Sequence, residues 1–330
     1  MKTQAPIAVH QQGNQKKGEH SRRDATGQQA TRLLFRVISR VQPYLYVLPA
    51  VLCIAFWLYW PLLQTFRLSF FEWNLLPTTP QKFVGLLNYE RILGLPDMRT
   101  AIGNSLIYML GILPFSLILP LTIAIGTERL GRRAKNTYRM LIFFPMMMAP
   151  VVVSVVWNWM LHPLNGIVNQ ALRQGFHLAE PLRFLSDERF ALWTILIITG
   201  WKIIGFSTLI ISSALTGINK DYYEAAMIDR ASRWQTIRYI TLPLLSPTLI
   251  FILMLSILFS SEWSFAYINV LTQGGPSNAT LNIYYLLWVY GFKSFSIGWG
   301  SAAAVLFFLV FGLIAGLLTK LSNRYSFYDE

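Results

Sequence analysis

The chain has 330 residues, of which 54% are hydrophobic, 15% aromatic and only 13% charged, with a formal net charge of +13. Charged residues make up roughly a quarter of an ordinary soluble domain, so this composition excludes one and points to a bilayer as solvent. The single Cys53 excludes an intramolecular disulfide and a thiol-based metal cluster.

In chain order, residues 1–40 are rich in Gln, Lys, Arg and Gly and have too few apolar side chains for a core. They read as a disordered, basic cytoplasmic tail. No apolar run with a cleavage site opens the chain, so the first apolar span is expected to stay as an anchor. Six stretches are long and apolar enough to cross about 30 Å of hydrocarbon: 44–66, 105–126, 141–161, 190–215, 244–264 and 300–318. The expected fold is all-α, a polytopic membrane helix bundle over residues 41–320 with a C-terminal cytoplasmic tail at 321–330.

Lys and Arg are retained on the cytoplasmic side of membranes. With both termini inside, nineteen of these residues lie inside and eight outside, with Lys202 in the membrane. That arrangement, with attraction to anionic membrane lipid, accounts for the positive charge and leaves no need for nucleic acid. The four histidines, His10, His20, His162 and His177, lack metal-ligand spacing, so no metal site is expected.

Between the fourth and fifth spans lies a polar stretch, residues 217–243, containing EAAMIDRASRWQTIRYITLP. Asp221 and Glu224 suit a first helical turn, and Tyr222 to Ile228 contain no breaker. A second short helix is expected over 233–240, with Pro243 kinking or restarting the chain at the fifth span. Ala225, Ala226, Ala231 and Ser232 leave room for another surface. Physical argument alone leaves two readings open, a protruding helix-turn-helix that docks a partner and an amphipathic linker lying on headgroups.

The stretch resembles the EAA loop of membrane subunits of binding-protein-dependent ABC importers. Glu224, Ala225 and Ala226 match its start, and Ile240, Leu242 and Pro243 its end at the right spacing. Its glycine position is Arg230 here, which predicts a different turn between the two helices and an added contact from Arg230. FVGLLNYERIL, YRMLIFFPMMMAPVVVSVVWNWML, NGIVNQAL, LTQGGPSNAT and GWGSAAAVLFF, in that order, are similar to the carbohydrate branch, the type of maltose and glycerol-phosphate importers. A Phe-Asp pair usual before the Gly-Gly-Pro turn falls on Phe265 and Ala266, with Glu262 one helical turn earlier.

The resemblance implies a non-catalytic permease subunit in a bacterial cytoplasmic (inner) membrane, importing a sugar or sugar-like solute. It implies two ATPase subunits, a second and related permease subunit, and an extracytoplasmic solute-binding protein. ATP and Mg are then used by the ATPase subunits, and this chain, which has no GxxxxGK[ST] loop, binds no cofactor. Glu224 is expected to anchor in an ATPase cleft, Ala225 and Ala226 to allow close approach, and Asp229, Arg230, Ala231, Ser232 and Arg233 to flank them.

Solute-pathway candidates are Trp157, Asn158, Trp159, Lys202 and Glu262. Each has a second reading: the tryptophans as an interfacial belt, Lys202 as half of a pair with a carboxylate or a carbonyl, Glu262 as an interfacial acid at the far end of its span. The aromatic run 281–292 reads as an interfacial outer helix on which a binding protein docks. An ion-gradient-driven carrier is the alternative function, although the paired broken helices and intramembrane acids expected of one are not evident.

Overall fold

The computed structural model describes residues 42, 44–128, 130–178 and 180–325. The basic tail at 1–40 and residues 326–330 lie outside these. Two compact units divide the chain, Met1–Gln64 and Thr65–Glu330.

Most of the first helix, α1 (Tyr44–Leu68), belongs to the first unit. Its tyrosines, tryptophans and leucines are exposed along the helix, as suits a segment whose solvent is hydrocarbon.

The second unit opens with a two-stranded hairpin, β1 (Phe71–Glu72) and β2 (Lys82–Phe83), antiparallel with Phe71 opposite Phe83 and Glu72 opposite Lys82. A short helix, α2 (Leu87–Gly94), leads to the second span, α3 (Pro96–Thr127). Leu95 is extended, as a residue before proline prefers, so α3 begins cleanly with Pro96 in its first turn. Pro114 opens a wide turn over Pro114–Ile118, which carries the helix past a residue without an amide hydrogen.

The third span is not the single helix expected over 141–161. It is a pair, α4 (Arg132–Met147) and α5 (Pro150–Met160), bent by 94° at the break. Met148 and Ala149 are both extended, and Pro150 forces that conformation on Ala149. The chain continues through α6 (Ile167–Phe176) into the fourth span, α7 (Glu188–Gly217). Asp187 caps α7 by accepting from the Arg189 amide at 2.9 Å.

With 61% of its apolar window buried, α7 is the most enclosed of the spans and forms the axis of the unit. It packs on α3, on α4 and on the fifth span. Gly205 lets the α4 backbone approach so closely that any Cβ there would collide with the Ile142 carbonyl.

After α8 (Lys220–Ile228) the fifth span, α9 (Arg233–Thr272), runs for 40 residues. Pro243 neither restarts nor ends it, because a wide turn at Ile237–Thr241 takes up the lost hydrogen bond. The aromatic run at 281–292 forms α10 (Ile283–Trp288), continuing as a wide turn over Val289–Lys293. It is a core element rather than an interfacial helix: Ile283, Tyr285, Leu286 and Tyr290 are buried in the main apolar cluster. Asn282 holds its start, accepting from the Tyr285 amide at 2.8 Å and donating to the Ser261 carbonyl at 3.0 Å and the Ser264 hydroxyl at 2.9 Å. The sixth span, α11 (Ile297–Tyr325), stays helical through 321–325, where a tail was expected.

Candidate coupling loop and solute pathway

Loop 217–243 is built from local signals. Asn219 caps α8, its side chain accepting from the Asp221 amide at 3.1 Å. At the other end the Arg230 amide donates to Met227 O at 3.1 Å and the Ala231 amide to Ala226 O at 2.9 Å. These two bonds define a Schellman ending, whose left-handed position normally belongs to glycine. Arg230 occupies it at φ 53°. The expectation of a different turn is therefore wrong: the geometry is the one a glycine would take, and the arginine backbone bears its strain, on the order of 1–2 kcal/mol.

One residue later Ser232 and Gln235 form a capping box at the start of α9, with Ser232 N donating to Gln235 Oε1 at 2.7 Å and Gln235 N to Ser232 Oγ at 3.3 Å. Tyr223 and Thr241 share a hydroxyl contact at 3.3 Å that ties α8 to α9. The result is a rigid corner rather than a floppy linker.

What the corner exposes differs from expectation in one place. Glu224, Ala225, Asp229, Arg230, Ser232 and Arg233 are exposed and Ala231 is half-buried, but Ala226 is only 6% exposed and packs inward. Its small side chain is turned into the chain, away from the exposed Ala225 and Met227, because residues next to each other on a helix face different ways. In its place the corner presents Met227 at 69% exposure and Ile228 at 82%, with Trp234 and Tyr239 beside them. Exposed apolar groups of that size flanked by charge mark a protein contact, and the run Met-Ile before Asp-Arg was the available signal. Glu224 makes no ion pair within the described residues, leaving its carboxylate free.

The pathway candidates separate into distinct places. Trp157 is half-buried and meets the edge of Trp201 with ring centroids 5.8 Å apart. Next to that pair in sequence, Lys202 is 8% exposed, yet among the described residues it has no carboxylate or carbonyl partner. The pairing reading is thereby not met, and Lys202 stands buried without such a partner one residue after Trp201.

Asn158 lies on the rim of a cavity of about 470 Å³ shared with His162, Arg183, Ser186, Thr272 and Pro276. Trp159 is 78% exposed and faces outward, in keeping with a belt position. Glu262 is exposed on α9 but not at its end, since the helix continues to Thr272, about 15 Å further at 1.5 Å per residue. Its charge reaches Tyr284, whose phenol is held above the ordinary value by burial first and by the Glu262 carboxylate second. No ion pair joins Glu262 to Lys202. Trp201 was missed as a candidate, although its place beside the one charge of the apolar stretch 190–215 was visible.

Residues 91–325, most of the chain, match the family described as binding-protein-dependent transport system inner membrane component. The chain belongs to this family. A probable ABC transporter permease protein of Sinorhizobium fredii is 32% identical over 266 residues, 79% of this chain and 84% of that one. The sn-glycerol-3-phosphate transport system permease protein of Agrobacterium fabrum is 27% identical over 82% of this chain and 91% of its own. A chain of a bacterial ABC transporter involved in the import of the acidic polysaccharide alginate superposes with a TM-score of 0.78 at 23% identity, covering 89% and 99% of the two chains. A chain of a bacterial alginate ABC transporter in complex with alginate pentasaccharide-bound periplasmic protein gives 0.76 at 23% identity, covering 89% of this chain and 98% of that one. The permease is thus an integral membrane subunit of a binding-protein-dependent ABC transport system, which replaces the ion-gradient carrier alternative.

Proposed function

We propose that the permease imports a sugar or sugar-like solute, delivered by an extracytoplasmic binding protein and driven by ATP hydrolysis on two separate ATPase subunits. It pairs with a second, related permease subunit and performs no chemistry itself; ATP and Mg belong to the ATPases. Both termini, and loop 217–243, face the cytoplasm.

The observation that carries this reading is the rigid, exposed corner of that loop. A Schellman ending and a capping box fix α8 against the start of α9. The same corner presents a free carboxylate on Glu224 and the apolar pair Met227 and Ile228. A cleft on the ATPase that grips α8 moves α9 with it, because a capped, continuous helix transmits displacement to the membrane. Glu224 is the polar anchor there, Ala225 gives close approach, and Asp229, Arg230, Ser232 and Arg233 form the charged and polar rim.

Support for a sugar comes from the relatives' solutes and from the side chains along the path. The indole pair Trp157 and Trp201 offers ring faces and edges suited to the C–H surface of a sugar. Lys202, with no partner of its own among the described residues, can donate to hydroxyl or carboxylate oxygens. Asn158 at the outer cavity and Glu262 on α9 add hydrogen-bonding groups further along.

The reading is tested by purifying the permease with its ATPases in lipid nanodiscs and measuring ATP hydrolysis with the cognate binding protein and a panel of sugars. Stimulation by one sugar in the presence of the binding protein is the expected result. Absence of any co-purifying ATPase would overturn it.

A further inference from the structure

A second cavity, of about 490 Å³, lies between the β1–β2 hairpin and the start of α11. None of the pathway candidates lines it. Its walls are Glu72, Trp73, Asn74, Lys82, Asn88 and Trp299 among others. With the bent pair α4–α5 counted as one crossing, three spans separate this hairpin from loop 217–243, so on the proposed topology the cavity opens outward.

We propose that this cavity is a binding site for a neutral pyranose ring, an outer holding site for solute or for one ring of it. The proposal rests on the sugar-import reading above for the source of the ligand. Two tryptophans in one small cavity supply the flat apolar faces on which the axial C–H groups of a pyranose pack. Both are fixed. Trp73 donates from Nε1 to the Leu76 carbonyl at 3.3 Å and its own carbonyl accepts from Ile297 N at 3.1 Å, while Trp299 rests edge-on against Tyr290 at 6.0 Å.

The polar groups match the hydroxyls of a sugar ring. Glu72 and Lys82 stand directly opposite each other across the hairpin, so acceptor and donor are presented side by side. Arg91 holds Glu72 from outside the cavity at 3.7 Å. A pair of ring hydroxyls uses both groups, one donating to Glu72 and one accepting from Lys82.

The floor is tightly packed. Asn88 is fully buried and spends its Nδ2 on the carbonyls of Ser69 at 2.8 Å and Phe71 at 3.0 Å. Its Oδ1 has no donor among the described residues, which is costly for a buried acceptor. Gly298 lets the start of α11 close against the hairpin behind this floor, since a Cβ there would run into the Phe71 carbonyl and the Asn88 amide. The cavity volume falls in the range of about 300–1,000 Å³ typical of small-molecule sites.

Stacking with one acceptor and one donor does not select among pyranoses, so glucose, galactose, mannose and maltose serve as probes. Saturation-transfer NMR on the intact complex without its binding protein reads the contact directly. Millimolar binding of at least one sugar is expected, weakened about tenfold by Trp299→Ala and also by Lys82→Met, an exposed position whose change does not endanger folding. The proposal is overturned if none of the four binds, or if binding is indifferent to both substitutions. Sugar-stimulated ATP hydrolysis that persists without such binding would sink the cavity while leaving the import reading intact.

Discussion

The amide of Ala231 donates to the carbonyl of Ala226 at 2.9 Å, closing a turn whose left-handed residue is Arg230. An arginine in that conformation costs on the order of 1 kcal/mol that a glycine does not incur. Arg230→Gly is expected to raise the melting temperature of the purified complex, and Arg230→Val, β-branched at positive φ, to lower it. A lower melting temperature for the glycine variant would mean that side-chain contacts of Arg230 outweigh its backbone strain.

Ser232→Ala removes one half of the capping box and is expected to cost about 1 kcal/mol. Hydrogen exchange reads it locally: amides of residues 233–236 should exchange faster, while those of α7 stay protected. Equal protection in the variant would show that partner contacts, not the cap, hold the start of α9.

Close helix approach makes its own ranking. At Gly205 an added Cβ meets the Ile142 carbonyl and the Phe143 Cα, both backbone, whereas at Gly200 it meets only the ring of Phe115. Gly205→Ala should therefore lose more thermal stability than Gly200→Ala, with overpacking at the first costing about 1–3 kcal/mol. The reverse order would contradict the α4–α7 packing.

The cap of α7 is pH-linked. Hydrogen bonds from the Arg189 side chain, then from its backbone amide, hold the Asp187 carboxyl below the usual range. A depressed folded pKa stabilises above the unfolded value of about 3.9 and loses that contribution as pH falls through the folded value. Protection of the first turn of α7 in the native chain should exceed that in Asp187→Asn at pH 7, and the difference should shrink towards pH 3. A gap that stays constant with pH would show that the charge is not involved.

Much of the bundle was legible in the sequence because hydrocarbon imposes a length and a composition that few other environments do. The spans near 44, 105, 190, 244 and 300 all appear, longer at their ends than hydropathy alone marks. The break in the third was less visible: Pro145 and Pro150 sit in an apolar run, and only the second carries an extended pair of residues before it.

Arg230 shows the limit of reading a turn by residue type. Two amide bonds and a capped following helix hold a conformation that the side chain disfavours, so the local preference was overruled. Ala226 shows the same for exposure, since a small residue beside an exposed one can serve either the partner or the chain itself. The run at 281–292 reads as aromatic, interfacial and too short to span, and nothing in that pattern reveals that Asn282 and Ser105 would pin it inside the bundle.

The most direct test of the central claim, that the corner of loop 217–243 couples ATP hydrolysis to the spans, is ATPase stimulation by the loaded binding protein in the assembled complex. The native chain is compared with Glu224→Ala and with Met227→Ala. The expected result is a complex that still assembles but whose stimulation is strongly reduced in both variants, with basal hydrolysis by the ATPases retained. Stimulation equal to the native level in both variants would contradict the coupling role of this corner.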